Sequence, residues 1–323
     1  MKRRRFLSSF FAMPLGLNAT ALWAGTGGVG AEGWPRRISH EAGALTLKSP
    51  PKRVVSTSPS LTGVLLAIDA PLIATAATTV GPLTDETGFF RQWADVAHAR
   101  GVERLYPDRA FDIESLILAA PDLVVGSSTG ADSLLPYLAE VEAQGLPVLV
   151  LDYSDTSWQV LARELGRATG HSEDAEAAIL DFETRTAQAA AQLALNGRPA
   201  TIVGYDIAGT YSIGRAQSPQ AEVLEALGFS IAPLPEEYKS AVSRVSNMDF
   251  ISRETLSAAI TAETVLLLSA DETDVEAFMN DPLLANLPAV QKKQVYPMGL
   301  SSFRVDYYSA LDMIETLQTA LSA

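Results

Sequence analysis

The strongest constraint on this chain's fold is an alternation of short apolar runs with helix-compatible segments, which occurs twice, on either side of a long alanine-rich stretch. In the first series, residues 52–56, 72–76, 123–126 and 148–151 read as strands, because each holds a short apolar run, Val54-Val55 in the first, near turn residues. The segments between them read as helices. Ser58 and Pro59 occupy cap and first-turn positions ahead of Leu61, Leu65, Leu66 and Ile68, and residues 113–119 and 135–143 follow the same grammar. From Trp158 to Leu195 nearly every residue is compatible with helix. Gly166 and Gly170 punctuate a first helix, and an alanine-rich helix beginning near Asp174 runs on to Asn196-Gly197-Arg198-Pro199. A second series follows: a strand at 200–205, a helix at 221–227, a strand at 265–268, a helix at 275–278 and a final amphipathic helix at 307–321.

Short buried strands separated by helices imply parallel sheets, so the sequence predicts an α/β protein of two lobes joined by a single long helix. The predicted divisions are an export signal at 1–31, a first lobe at 32–157, a helical region with the connector at 158–197, and a second lobe at 198–323. Residues 33–51 form a hairpin or extended lead-in to the first lobe. A chain of 323 residues with 47% hydrophobic content can give each lobe its own core.

The formal charge of −14 argues against a nucleic-acid or anionic-membrane surface, which would need concentrated Lys and Arg. With no cysteine, disulfides, thiolate metal sites, iron–sulfur clusters, cysteine nucleophiles and a lipoprotein anchor are all excluded. His40, His98 and His171 lie far apart, so no direct metal site is predicted, and no cofactor.

Lys2 to Arg5 form a basic start, residues 6–23 a mainly apolar stretch, and small residues follow to Ala31, the pattern of an export signal. Arg3-Arg4-Arg5-Phe6-Leu7 fits the twin-arginine pattern, with general secretion as the alternative. Pro14, Gly16 and Asn18 interrupt the apolar stretch, and no later stretch approaches about 20 uninterrupted apolar residues, so no membrane anchor is predicted. Cleavage after Ala21 and cleavage after Ala31 both fit. The latter removes four positive charges from −14 and leaves −18 on a mature protein outside the cytoplasm.

A weak internal repeat marks one residue in each lobe. Phe111-Asp112-Ile113-Glu114-Ser115-Leu116 precedes the strand near Leu123, and Ile251-Ser252-Arg253-Glu254-Thr255-Leu256 precedes the strand near Val265, with Glu114 and Glu254 at the same offset.

Several segments carry a resemblance. They are Val54 to Gly63, Leu65 to Pro71, Gly88-Phe89-Phe90-Arg91-Gln92-Trp93, Asn280 to Leu284 with Leu287 to Gln291, and Phe303-Arg304-Val305-Asp306-Tyr307-Tyr308-Ser309-Ala310. Together they are similar to the ferric-enterobactin-binding periplasmic protein family of ABC importers, over essentially the whole mature chain. The resemblance implies two Rossmann-like lobes of the class III, helical-backbone type, little hinge bending, and a cleft that holds a ferric catecholate siderophore. Iron then arrives inside a chelator, as cargo. A soluble, monomeric periplasmic receptor is expected, and the resemblance implies that its Glu114 and Glu254 dock on arginines of the inner-membrane permease. The bland reading of both glutamates is a carboxylate favoured by the helix dipole.

A ferric tris-catecholate carries three negative charges on a partly aromatic body, so its site needs convergent cations and flat apolar contacts. Arginine suits both, through its planar fork and its stacking on rings. Arg91 and Arg304 rank first, because they lie in the two most family-specific segments, one per lobe, and cleft closure is expected to bring them together. Arg104, Arg215 and Arg244, in loop or loop-adjacent positions, come second. Tyr211, in the glycine-bounded segment 209–214, is the aromatic expected to face the ligand. The family has a tryptophan close to the position of Gly214, which this chain lacks. For Ser58, helix capping is preferred to ligand contact. With a Debye length of about 8 Å at physiological salt, local arginines outweigh the overall negative charge.

Two other functions stay open at this stage. A receptor of the same fold for haem, cobalamin or a hydroxamate siderophore changes only the cleft. An exported α/β hydrolase needs a nucleophile elbow, for which Gly126-Ser127-Ser128-Thr129-Gly130 comes nearest and is discounted. The absence of a Gly-x-x-x-x-Gly-Lys-Ser/Thr loop shows that the chain is not the importer's ATPase.

Overall fold

A computed structural model describes residues 33–322 apart from Asp155, Val242 and Ser246, and apart from the side chains of residues 240–245. The export signal expected at 1–31 lies outside the described residues. An antiparallel hairpin of β1 (Arg36–His40) and β2 (Gly43–Leu47) opens the fold. The first lobe then runs β3 (Val54–Ser56), α1 (Pro59–Ala67), β4 (Leu72–Thr75), α2 (Arg91–Ala99), β5 (Glu103–Arg104), α3 (Ile113–Ala119), β6 (Leu123–Ser127), α4 (Leu138–Ala143) and β7 (Val148–Leu151). Its five strands are parallel, in the order β5-β4-β3-β6-β7. Every residue of β3, β6 and β7 is buried, as the continuous apolar runs require of strands covered on both faces.

Two helices follow, α5 (Trp158–Thr169) and α6 (Ser172–Leu193). Gly170 ends α5 in a left-handed conformation, and α6, the long alanine-rich helix, starts two residues earlier than the sequence suggested. The second lobe comprises β8 (Arg198–Ile207), β9 (Thr210–Gly214), α7 (Pro219–Ala226), β10 (Phe229–Ile231), β11 (Ser243–Val245), β12 (Met248–Ile251), α8 (Arg253–Ala259), β13 (Thr264–Leu267), α9 (Glu272–Met279), α10 (Pro288–Gln291) and β14 (Val295–Pro297), before α11 (Tyr307–Ser322). Its strands are ordered β11-β12-β9-β8-β13-β14, with β10 also beside β8. This sheet is mixed: β8, β10, β13 and β14 are parallel, whereas β9, β11 and β12 form an antiparallel extension. The antiparallel extension is an addition to the parallel α/β arrangement that the sequence predicts. Here the β8–β9 turn, Ala208 and Gly209 both at positive φ, reverses the chain directly into a hairpin.

The lobes share a core. One buried cluster runs from Val54, Leu123 and Leu149 of the first sheet through Trp158, Leu165, Ile179 and Phe182 of α5 and α6 to Ala200, Ile202 and Leu266 of the second sheet. Helix α11 packs against α6, α1 and α2, so the last helix of the chain returns to the first lobe. A core continuous across both sheets resists large hinge motion, because close-packed interiors do not deform smoothly.

Candidate functional site

In open α/β sheets, ligands bind beyond the carboxyl ends of the strands. In the first lobe this edge carries the Thr57 to Ser60 turn after β3, the 128–134 loop after β6, and Tyr153 and Ser154 after β7. In the second lobe Pro219, Gln220, Asn247 and residues 303–305 face it. Ser60, Tyr153 and Ser154 thus meet Gln220, Asn247, Phe303 and Arg304 across a narrow groove that encloses about 20 Å³.

Arg304 is the central cation of this groove. Its guanidinium carbon lies 5.0 Å from the centre of the Tyr153 ring and 5.3 Å from that of Phe303. Among the described residues no ion pair to a carboxylate is formed by Arg304, and its buried Nε has no hydrogen-bond partner. The backbone beneath it is fixed from two sides. Buried Gln220 donates from Nε2 to the carbonyls of Ser302 and Phe303 at 3.0 and 3.3 Å, and Ser309 Oγ donates to the Arg304 carbonyl at 2.7 Å. Asn247 Nδ2 reaches Gln220 Oε1 at 3.5 Å.

Asp306 caps the start of α11. Its backbone N–H donates to Ser309 Oγ at 2.8 Å, and its Oδ1 accepts from the Ser309 N–H at 2.9 Å. Burial pushes its carboxyl up to about 6, despite the hydrogen bond from the Ser309 N–H, which favours the charged form. The two most family-specific segments do meet here: the Phe90 and Phe303 rings are 5.4 Å apart, edge on.

Arg91 itself points elsewhere. Its Nε donates to the Pro82 carbonyl at 2.9 Å, and it lines a separate open cleft of about 600 Å³ with Glu272, Asp312 and Glu315. The expected convergence of Arg91 with Arg304 is not found. Size alone would favour that larger cleft for the cargo, but three carboxylates around one arginine suit no trianion.

The other expected residues divide. Arg104 ends β5 at the carboxyl edge of the first sheet and is exposed. Arg215 follows β9, its backbone N–H donating to the Asn247 carbonyl at 3.0 Å, which puts its backbone beside the groove. Arg244 is not in a loop: it lies within β11, opposite Asp249, and its side chain is outside the described set. Tyr211 is not in a loop either. It belongs to β9, pairs with Ile251, and packs its ring 5.6 Å from that of Tyr205, whose hydroxyl donates to Asp281 at 2.8 Å. Asp281 also takes Arg253 at 2.8 Å, so Tyr211 joins a polar and aromatic cluster beside α8 rather than the groove. Gly214 has a structural reason to be glycine. A Cβ there would lie 2.7 Å from the Cβ of Ile202, leaving no room for the family's tryptophan at that position.

Two groups escaped the sequence reading. Arg109, exposed and at positive φ, lines a small pocket with Thr57, Tyr106, Phe111 and Tyr137, in which the Phe111 and Tyr137 rings stack 4.2 Å apart. The loop signal of Pro107-Asp108-Arg109 after a strand could have found it. Ser58 stands at the N-cap position of α1 but makes no side-chain cap; its hydroxyl donates to buried Asp132 at 2.5 Å. No sequence signal links residues so far apart.

Glu114 and Glu254 each occupy the second position of a seven-residue helix, after N-caps Asp112 and Ser252, and both are exposed. The bend at 126–130 does have Gly-x-Ser-x-Gly spacing, so the sequence was wrong to discount it on pattern. Ser128 Oγ, however, donates to the Leu151 carbonyl, and all three histidines are engaged elsewhere: His40 with the Ala42 N–H, His98 with Asp85 and His171 with Asp174. No histidine is hydrogen-bonded to that serine among the described residues. Among the same residues, no cluster of His, Asp or Glu could hold a metal ion, and no helix is long and apolar enough to cross a membrane.

Comparison with known proteins shows the family to which the chain belongs. The chain is 40% identical over 301 residues to the ferric enterobactin-binding periplasmic protein FepB of Escherichia coli O6:H1 (strain CFT073), covering 92% of this chain and 94% of that protein. It is 24% identical over 262 residues, 80% of each chain, to the Fe(3+) dicitrate-binding periplasmic protein FecB of Escherichia coli K12. The crystal structure of holo-ViuP superposes with a TM-score of 0.79 at 38% identity, covering 88% of this chain and 95% of that one. The sequence pattern of periplasmic binding proteins matches residues 54–299, and the chain belongs to that family.

Proposed function

We propose that this protein is the periplasmic substrate-binding component of an iron–siderophore ABC importer, which binds a ferric catecholate such as ferric enterobactin in the groove between its lobes. The observation that carries this reading is Arg304, a guanidinium held on aromatic faces at the groove with no carboxylate paired to it among the described residues. An unneutralised, partly desolvated cation beside rings suits an anionic aromatic cargo. Arg104, Arg109 and Arg215 stand at or next to the same strand edges, and Arg244 lies on the neighbouring extension of the second sheet. The likeness to FepB over more than nine-tenths of both chains supports the choice of cargo.

Glu114 and Glu254 are the permease-docking residues in this account, supported by their equivalent helix positions and exposure, one beyond each sheet. The protein acts by binding, without catalysis and without a resident cofactor. The divisions at 32–157, 158–197 and 198–323 serve it as two jaws and a spine, with α11 fastening the second jaw back onto the first.

Titration with ferric enterobactin, ferrichrome and haem, followed by tryptophan fluorescence, tests the assignment. Saturable quenching by ferric enterobactin at the lowest concentrations is expected. Tight binding of ferrichrome or haem with no response to the catecholate would overturn it.

A further inference from the structure

Asp132 is a buried carboxylate, 9% exposed, with both oxygens committed. Its Oδ2 accepts the Ser58 hydroxyl at 2.5 Å, and its Oδ1 accepts the Tyr153 hydroxyl at 2.6 Å. Ser58 stands at the start of α1 yet gives its hydroxyl to Asp132 instead of capping the helix. The loop before Asp132 is shaped around the phenol: a Cβ on Gly130, at φ +76°, would lie 1.9 Å from the Tyr153 oxygen. On the face of this fixed ring lies Arg304, which comes from the other lobe.

We propose that Asp132 is a positioning residue for the cargo site, which fixes the Tyr153 ring so that Arg304 is held over the groove before any ligand arrives. The chemistry favours this arrangement over a direct ion pair. A carboxylate against the guanidinium would occupy the donors that an anionic ligand needs. A carboxylate behind the phenol instead enriches the ring face by polarising the hydroxyl, which strengthens its hold on a cation and leaves the guanidinium donors open. Burial pushes the Tyr153 phenol up to about 12, so it keeps the proton it donates throughout the physiological range.

The effect on binding rests on the siderophore reading; the effect on Arg304 does not, and the test separates them. In ligand-free protein, the Arg304 Nε–H resonance, assigned by its loss in Arg304→Lys, should be displaced upfield by the ring current of Tyr153. Tyr153→Leu should remove the Tyr153 share of that displacement and leave the share of Phe303, and Asp132→Asn and Tyr153→Phe should each reduce it. In the binding arm, Asp132→Asn and Tyr153→Phe should each weaken ferric enterobactin binding by about fivefold, yet cost nothing further in an Arg304→Ala background. Thermal melts identify any variant that fails to fold, in which case Tyr153→Phe, which keeps the ring, carries the test. An Arg304 resonance unmoved by Tyr153→Phe and Asp132→Asn, or losses that simply add to that of Arg304→Ala, would overturn the proposal. If the wild-type protein ignores ferric enterobactin, the functional reading fails and the resonance arm still decides the positioning role.

Discussion

The carboxylate of Asp306 occupies the space that a side chain on Gly63 would need. A Cβ at Gly63 would come within 2.3 Å of Asp306 Oδ2 and 3.0 Å of the Trp93 ring. The start of α11 therefore docks directly onto the backbone of α1, which ties the end of the chain to the first lobe. Gly63→Ala should destabilise the protein by about 1–3 kcal/mol, the usual cost of overpacking, and lower the melting temperature without changing the fold. A melt identical to wild type would show that this junction is loose.

The same carboxylate predicts a pH dependence. Asp306 titrates near 6 in the folded protein, and an aspartate in an unfolded chain near 3.9. A raised folded value means that the folded state holds the proton more tightly. The stabilisation is then complete below about pH 4 and is lost as the pH rises through about 6. Relative to Asp306→Asn, which cannot ionise, the wild type should gain about 2–3 kcal/mol between pH 7 and pH 4. Urea unfolding of both proteins across that range checks it. A difference that stays flat contradicts the buried carboxyl's raised titration.

Gly214 yields a sharp result because the family places a tryptophan nearby. Gly214→Trp should not restore a missing ligand contact. It should destabilise the β8–β9 hairpin by about 1–3 kcal/mol or more, since the first carbon already collides with Ile202. Tighter siderophore binding with unchanged stability would refute this.

Delivery and capture should separate genetically. Glu114→Ala and Glu254→Ala, on exposed helix starts in different lobes, are expected to leave siderophore affinity within about twofold of wild type. Both should reduce siderophore-dependent stimulation of the importer's ATPase in reconstituted membranes, the double variant most. Equal stimulation by wild type and double variant would remove both residues from docking.

Much of the fold is legible in the sequence because parallel strands buried on both faces leave continuous apolar runs; β7 and α3 fall where the sequence placed them. The antiparallel extension is harder to read. In β9, Thr210, Tyr211 and Ser212 lie between two glycines, so a local reading favours a loop. Only pairing with β8 and β12 makes it a strand. The site is less legible than the fold. Arg304 could be found from its segment, but whether Arg91 joins it depends on how α11 crosses back over α2, which no local pattern encodes. Asp132 lies 74 residues from Ser58 and 21 from Tyr153, and nothing short-range marks the three as one network.

The most direct test is equilibrium dialysis of radiolabelled ferric enterobactin against the mature wild-type protein, Arg304→Ala and Arg91→Ala. The account predicts saturable one-to-one retention by wild type, at least about tenfold weaker retention by Arg304→Ala, as loss of a charge-assisted contact implies, and unchanged retention by Arg91→Ala. No retention by wild type, or equal retention by wild type and Arg304→Ala, would contradict it.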